Sequence, residues 1–226
     1  MQLDSRLSQA FALYEPCSLA ADIGTDHAHL PAALLRSGRC ARMILTDISP
    51  DALKNARDNI ARAGLTDRVE FRLGDGLEPL REPCGMVSVL GMGGRTIFRM
   101  LTRDPSPLRG AALLLSAHTD LPLVRRAVME IGYRLVSETP VLDAGRYYLL
   151  LKAVPGEEAL SPRELRLGKA LFRSDSPVLL PYLARRRQVL EAKAAGLRRA
   201  AEPDARQLAE LEEDIALLAA AEKNLR

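Results

Sequence analysis

The chain has 226 residues, 47% hydrophobic and 27% charged, the proportions of a globular protein with one good core and room for a smaller appendage. No apolar run nears the ~20 residues that cross a bilayer, and residues 1–14 carry Asp4 and lack a signal-like apolar stretch, so a soluble cytoplasmic protein is expected. Cys17, Cys40 and Cys84 form no C-x-x-C pair, which argues for core filling and against a disulfide framework, and the net charge of +3 permits an anionic partner without demanding one.

Leu7, Ala10, Phe11 and Tyr14 recur at helical spacing and predict an amphipathic lead-in helix over 5–14. Strand and helix signals then alternate. Strands are predicted over 19–23, 41–46, 69–73, 86–90 and 111–116. Helices are predicted over 30–35, stopped near Gly38, over 50–63, ended by Gly64, and over 121–131, ended by Gly132. Such βα alternation predicts a mostly parallel sheet with right-handed crossovers. Two further strand-like runs, 133–138 and 146–153, flank the turn signal Asp143-Ala144-Gly145 and predict a terminal antiparallel hairpin. The composition changes after Pro155-Gly156. Leu180, Leu183, Arg187, Leu190, Ala194 and Leu197, then Leu208, Leu211, Ile215, Leu218, Glu222 and Leu225, predict two helices in an antiparallel coiled-coil hairpin, with Pro203 between them. Domains at 1–156 and 157–226 follow.

The richest local signal is the turn Asp22-Ile23-Gly24-Thr25-Asp26-His27-Ala28-His29. A strand ending in an acid and a glycine, followed by a helix start with free N–H groups, brings backbone close to a nucleotide-like ligand. A dinucleotide turn would read G-x-G-x-x-G. The carboxylate of Asp26 in its place disfavours a pyrophosphate and suits a ligand without phosphates or with positive charge. Asp22, Asp47 and Asp75 each end a predicted strand, and such ends share one edge of the sheet. Asp47 stands 23 positions after Gly24, where a carboxylate accepts ribose hydroxyls. Asp75 can accept from an exocyclic amine while Gly76 gives a ring room. Each acid taken alone also reads as a cap or turn residue. The run Gly91-Met92-Gly93-Gly94 after the fourth strand leaves room for a flat base. His27, His29 and His118 raise a zinc site, but 26–29 reads as a helix start, where side chains two apart do not face each other. The basic stretch 163–199 and the acidic residues Glu210, Glu212, Glu213 and Asp214 allow two outcomes: a basic helix that tracks phosphates, or two helices that neutralise each other.

With these motifs and Gly145-Arg146-Tyr147-Tyr148, the chain resembles the bacterial tRNA (adenine-22-N1)-methyltransferase (TrmK) family over essentially its whole length. The resemblance implies a class I methyltransferase fold, α/β and Rossmann-like, with a seven-stranded sheet. It also implies S-adenosyl-L-methionine as methyl donor and the tRNA D-arm region as substrate. The cofactor would be held by Asp22, Gly24, Thr25, Asp47, Ile48, Asp75, Gly76 and Gly91. The substrate would meet His29, Met92, Gly93, Gly94 and Arg95, and Asp26 with His27 would be catalytic. His29 stands where the family has an aromatic tyrosine, and Ser116-Ala117-His118 where it has a Gln-Pro-Asn-like run. No metal and no membrane are expected, and the chain is expected to be a monomer or weak dimer. Competing readings are a methyltransferase acting on another nucleic acid or a small molecule, a non-catalytic RNA-binding protein and, last, a zinc hydrolase.

Overall fold

The computed structural model describes residues 3–200, 202 and 204–225, so Pro203, the predicted separator of the last two helices, lies outside the described residues. Helix α1 (Ser5–Leu13) is capped by the Asp4 carboxylate, and it leads into β1 (Cys17–Ile23), α2 (His29–Arg36), β2 (Cys40–Asp47) and α3 (Pro50–Arg62). Then come β3 (Val69–Leu73), β4 (Met86–Met92), α4 (Gly94–Arg103), β5 (Ala112–Ala117), α5 (Leu121–Glu130), β6 (Tyr133–Asp143) and β7 (Arg146–Pro155). The chain ends in α6 (Pro162–Leu167), α7 (Leu179–Arg198) and α8 (Ala205–Asn224). The strands form one seven-stranded sheet in the order β3-β2-β1-β4-β5-β7-β6, parallel from β3 to β5 and antiparallel where β7 joins β5 and β6.

Local chemistry sets most boundaries. In α3, Ser49 accepts from the Ala52 amide, Pro50 opens the first turn, and Leu53, Ala56 and Ile60 form the buried stripe. Three elements exceed the sequence expectation, one of them the short α6 ahead of the two predicted tail helices. Helix α4 lies where none is predicted. Its core face is Ile97 and Leu101, four apart, and arginines occupy the opposite side. Strand β6 runs on through Pro140 to Asp143, which is possible because β6 is an edge strand, where a missing N–H costs no ladder bond.

Side chains alternate across the pleat, so the sheet has two buried faces. Ala21, Val87, Leu113 and Leu115 pack with α4 and α5; Ala20, Leu45, Met86 and Leu114 pack with α1, α2 and α3. Cys17 and Cys40, far apart in sequence, are register partners at the starts of β1 and β2, with Sγ atoms 3.5 Å apart as free thiols.

The last three helices join the first of these faces. Leu167, Leu171, Leu179 and Leu183 share a core with Leu113 and Leu151. Beneath them lies a fully buried ion pair, Arg125 Nε to Glu138 Oε1 at 2.7 Å. Arg125 also donates to the Leu165 carbonyl, and Glu138 accepts from the Leu171 amide. Gly168, at φ +91°, lies over the pair, and a Cβ there would stand 2.5 Å from Glu138. Helices α7 and α8 run antiparallel, since Arg187 meets Glu222 while Arg198 meets Glu212. Leu183, Ala194, Leu211, Leu218 and Glu222 of the predicted series are buried as expected, and other positions differ. Leu179 and Tyr182 are buried rather than Leu180, and Asp214 rather than Ile215. Burial of those carboxylates follows from pairing: Arg166 Nε lies 2.6 Å from Asp214, and Arg187 Nε 2.7 Å from Glu222. Arg163 meets Glu213 as well. Of the two outcomes open to the charged tail, neutralisation accounts for these arginines.

Candidate active site

Four neighbouring strands, β3, β2, β1 and β4, end at one edge and carry Asp75, Asp47, Asp22 with Gly24, and Gly91 in that spatial order. Strand spacing makes this a row about 14 Å long. Between β1 and β4 the strand order reverses, the point where open α/β sheets take ligands.

Asp22 is 9% exposed and accepts from Ser88 Oγ at 2.6 Å. The Ser88 proton is thereby used, so the Tyr14 hydroxyl donates to Ser88 Oγ at 3.0 Å. Burial raises Asp22 to about 6 against the opposing Ser88 hydrogen bond, and burial with the nearby Asp22 charge drives the Tyr14 phenol well above its usual value. A buried carboxylate of this kind gains from a cationic ligand. Gly24, at φ +74°, turns the chain so that its amide and that of Thr25 both donate to the Thr46 carbonyl, at 2.8 and 3.0 Å. The missing Cβ of Gly24 is replaced by the Met92 methyl, which therefore packs on this turn.

Asp26 and His27 follow in the turn, both more than half exposed, with His27 Nε2 3.2 Å from the Asp26 carboxylate. Asn55 of α3 donates to the other Asp26 oxygen at 3.1 Å. The helix starts at His29, one residue before the predicted 30–35, and residues 26–28 are not its first turn, because Ala28 is left-handed at φ +52°. The expectation that His27 and His29 diverge is thereby corrected: their rings stack at 5.5 Å with 17° between planes. A non-glycine residue in this conformation is strained. Among the described residues no group of three or more His, Cys, Asp or Glu is placed to hold a metal.

Asp22, Gly24, Thr25, Asp26, His27, His29 and Gly91 line one cavity of ≈ 370 Å³, together with Arg6, His118 and Tyr148. Of these last three, Arg6 carried no local signal for the site, while His118 and Tyr148 stand in segments noted above for other reasons. Arg6 comes from α1 and lies 5.3 Å over the Tyr148 ring on β7, while His118 meets the same ring edge-on at 6.2 Å. A Cβ on Gly91, at φ +91°, would touch His118 Nε2 and an Arg6 nitrogen at 3.5 and 3.6 Å without clash. Gly93 caps α4, and a Cβ there would meet the Thr119 hydroxyl at 3.7 Å, whereas one on Gly94 would strike the Thr119 and Asp120 carbonyl oxygens at 2.5 and 2.6 Å. Gly94 thus serves close packing of backbone and leaves no room for a base.

Asp47 accepts from the Ser49 amide at 2.7 Å, and Ile48 beside it is 71% exposed, an apolar surface with nothing yet to cover. Asp75 is joined through Oδ2 to Arg103 of α4 at 3.0 Å, and Arg103 also holds Glu78. Gly76, at φ +58°, lets Met100 approach. A second cleft of ≈ 470 Å³ opens there, between the Asp75-Gly76 turn and α4. Arg95 lies on the first turn of α4, 81% exposed.

Residues 3–151 match a family model described as a methyltransferase domain. The chain is similar to the tRNA (adenine(22)-N(1))-methyltransferase of Bacillus subtilis (strain 168), 26% identical over 196 residues that span 85% of this chain and 79% of that protein. It is similar in fold to a Streptococcus agalactiae protein described as belonging to the NADB-Rossmann superfamily, with TM-score 0.85 and 25% identity, over 98% of this chain and 97% of the other. M. capricolum TrmK, solved in complex with S-adenosyl-homocysteine, matches with TM-score 0.82 and 23% identity across 100% of both chains.

Proposed function

This chain belongs to the methyltransferase-domain family, and on that footing we propose that it transfers a methyl group from S-adenosyl-L-methionine to N1 of adenine 22 in the D-arm region of tRNA. The observation that carries this reading is the row of Asp75, Asp47, Asp22 and Gly91 on adjacent strand ends, with Asp26 and His27 on the turn beside it. The cofactor, when bound, supplies a methyl on a sulfonium, and its transfer to N1 leaves a neutral thioether.

The residues fit such a ligand. Among the described residues His29 Nδ1 is a buried polar atom without a hydrogen-bond partner, which a bound polar group would satisfy. Asp47 holds ribose hydroxyls, Asp75 accepts an exocyclic amine through its free oxygen, and Ile48 covers a ring face. Asp22 would offer its carboxylate to the positive charge of the ligand. Gly91 would line the side of the cavity from which the base approaches.

N1 of adenine carries its own lone pair, so no base need remove a proton before attack, and alignment supplies most of the rate. Asp26, oriented by Asn55 and His27, accepts from the adenine N6 amine and stabilises the positive charge that develops on the purine. N1 lies on the Watson–Crick edge, so the target adenine must be unpaired or turned out of its stack. The His27–His29 stack offers the flipped ring an aromatic face. We take residues 1–156 as the methyltransferase unit and 157–226 as a helical unit attached to it, in a cytoplasmic monomer or weak dimer.

The test is incubation with S-adenosyl-L-methionine and an unmodified tRNA transcript, followed by mapping of the methylated nucleoside. N1-methyladenosine at position 22 is expected. Methylation confined to another position, to other RNAs or to metabolites overturns the substrate.

A further inference from the structure

Resting on the tRNA reading above, we infer that the outer face of α4 is a docking rail for the RNA backbone, with Arg95 and Arg99 as its phosphate contacts. Helix α4 begins at Gly94, directly after the Gly91–Gly93 rim of the catalytic cavity. Arg95, Arg99 and Arg103 follow at four-residue intervals, hence on one face and about 6 Å apart along the axis. Opposite them, Ile97 and Leu101 are fully buried. The orientation of the row is therefore set by the core.

The three arginines differ in what they already hold. Arg103 is engaged by Asp75 and Glu78, which ties the far end of the row to the cofactor side. Arg95 has only Asp120, at 3.7 Å, and Arg99 has no ion pair among the described residues. Arg99 lines the ≈ 470 Å³ cleft with Thr96, whose hydroxyl is exposed beside it. Two open guanidiniums and an exposed threonine on one helix, next to the glycine run that rims the catalytic cavity, match the negative charge and spacing of a nucleic-acid strand, which needs several phosphate contacts to stay in place.

The tail offers less than its composition suggests. Arg163, Arg166, Arg187 and Arg198 are spent on carboxylates of the last helix, and Arg186 on carbonyl oxygens. Apart from Arg6, which lines the catalytic cavity itself, Arg95 and Arg99 of α4 are the open arginines that follow its glycine rim in the chain.

The experiment measures retention of an unmodified tRNA transcript by the full-length chain across a salt series, for wild type, Arg95→Gln, Arg99→Gln, the double variant and Arg134→Gln. Arg134 is exposed at the start of β6, toward the opposite edge of the sheet, and controls for loss of charge alone. Each α4 substitution should weaken binding several-fold and lower the salt slope by about 0.7–0.9. The double variant should lose more than tenfold, with KM for tRNA raised, kcat kept and S-adenosyl-homocysteine affinity unchanged by calorimetry. A double variant with the wild-type salt slope overturns the rail, as does an equal loss in Arg134→Gln. A wild-type chain that retains transcript but leaves adenine 22 unmethylated overturns the substrate reading instead, because retention reads the rail without turnover.

Discussion

Asp26 and His27 in the turn after β1 are 55% and 59% exposed, whereas Asp214 and Glu222 in the last helix are 2% and 6% exposed. Both regions are rich in charge, and they use it differently. At the sheet edge each acid keeps at least one oxygen or face free of protein partners, so its interaction energy is available to a ligand. In the helical tail the carboxylates are closed by arginines from α6 and α7, so their energy goes into holding the tail in place. Substitution should therefore cost function at the first region and stability at the second.

The sharpest way to break this contrast is the buried pair under the tail. Glu138→Ala leaves Arg125 charged and sealed from water, and burial already pulls the Arg125 pKa down. A loss of about 3–5 kcal/mol is expected, read as a fall in the denaturant midpoint. An unchanged midpoint would show that the tail does not depend on the pair. Because the tail shares its core with the sheet, deleting it would expose Leu171 and Leu183, and full-length point variants are the cleaner test of its role.

Asp26→Ala should do the reverse. Turnover is expected to drop about 10²–10³-fold while cofactor affinity and thermal stability stay near wild type. Equal losses in turnover and cofactor affinity would remove Asp26 from the chemistry.

Asp22 sits between these extremes, buried like the tail acids and aimed at the ligand like the rim acids. Its folded pKa of about 6 lies above the usual 3.8, so between these values the folded state keeps a proton that the unfolded chain has released. Its contribution to stability therefore falls as pH rises from about 4 to about 6. A cationic ligand favours the carboxylate, so cofactor affinity should rise about tenfold from pH 5 to pH 7, in calorimetric titrations. Asp22→Asn should flatten that rise, and a rise that survives would reassign the titrating group. S-adenosyl-homocysteine, which keeps the ammonium but lacks the sulfonium charge, tells which of the two Asp22 faces.

The smallest effect is expected at Arg198–Glu212, a pair about half exposed on both sides. Arg198→Gln should change stability by less than about 1 kcal/mol. A larger loss would mean that even the exposed tail pairs fasten the helices.

Much of the architecture was legible because its causes are local. Ser49-Pro50 before an apolar stripe and Gly64 after it announce α3. The alternation of short apolar runs with capped helices orders the sheet, and acids at successive strand ends fall on one edge by topology. Helix α4 was missed because a glycine run at its start reads as a turn, although Ile97 and Leu101 carry the helical spacing. In the tail, the spacing located both helices and much of their inner faces, Glu222 included, but missed Asp214, which is buried by an arginine that lies on another helix.

Residue order was enough to place the strands, the turn at Gly24 and the three acids, since each depends on neighbours within a few positions. Folding alone brought Arg6, His118 and Tyr148 around one cavity, stacked His27 on His29, matched tail arginines to their acids and left Arg99 without one among the described residues. Those arrangements depend on atoms far apart in the chain or on one left-handed residue, and neither composition nor spacing records them.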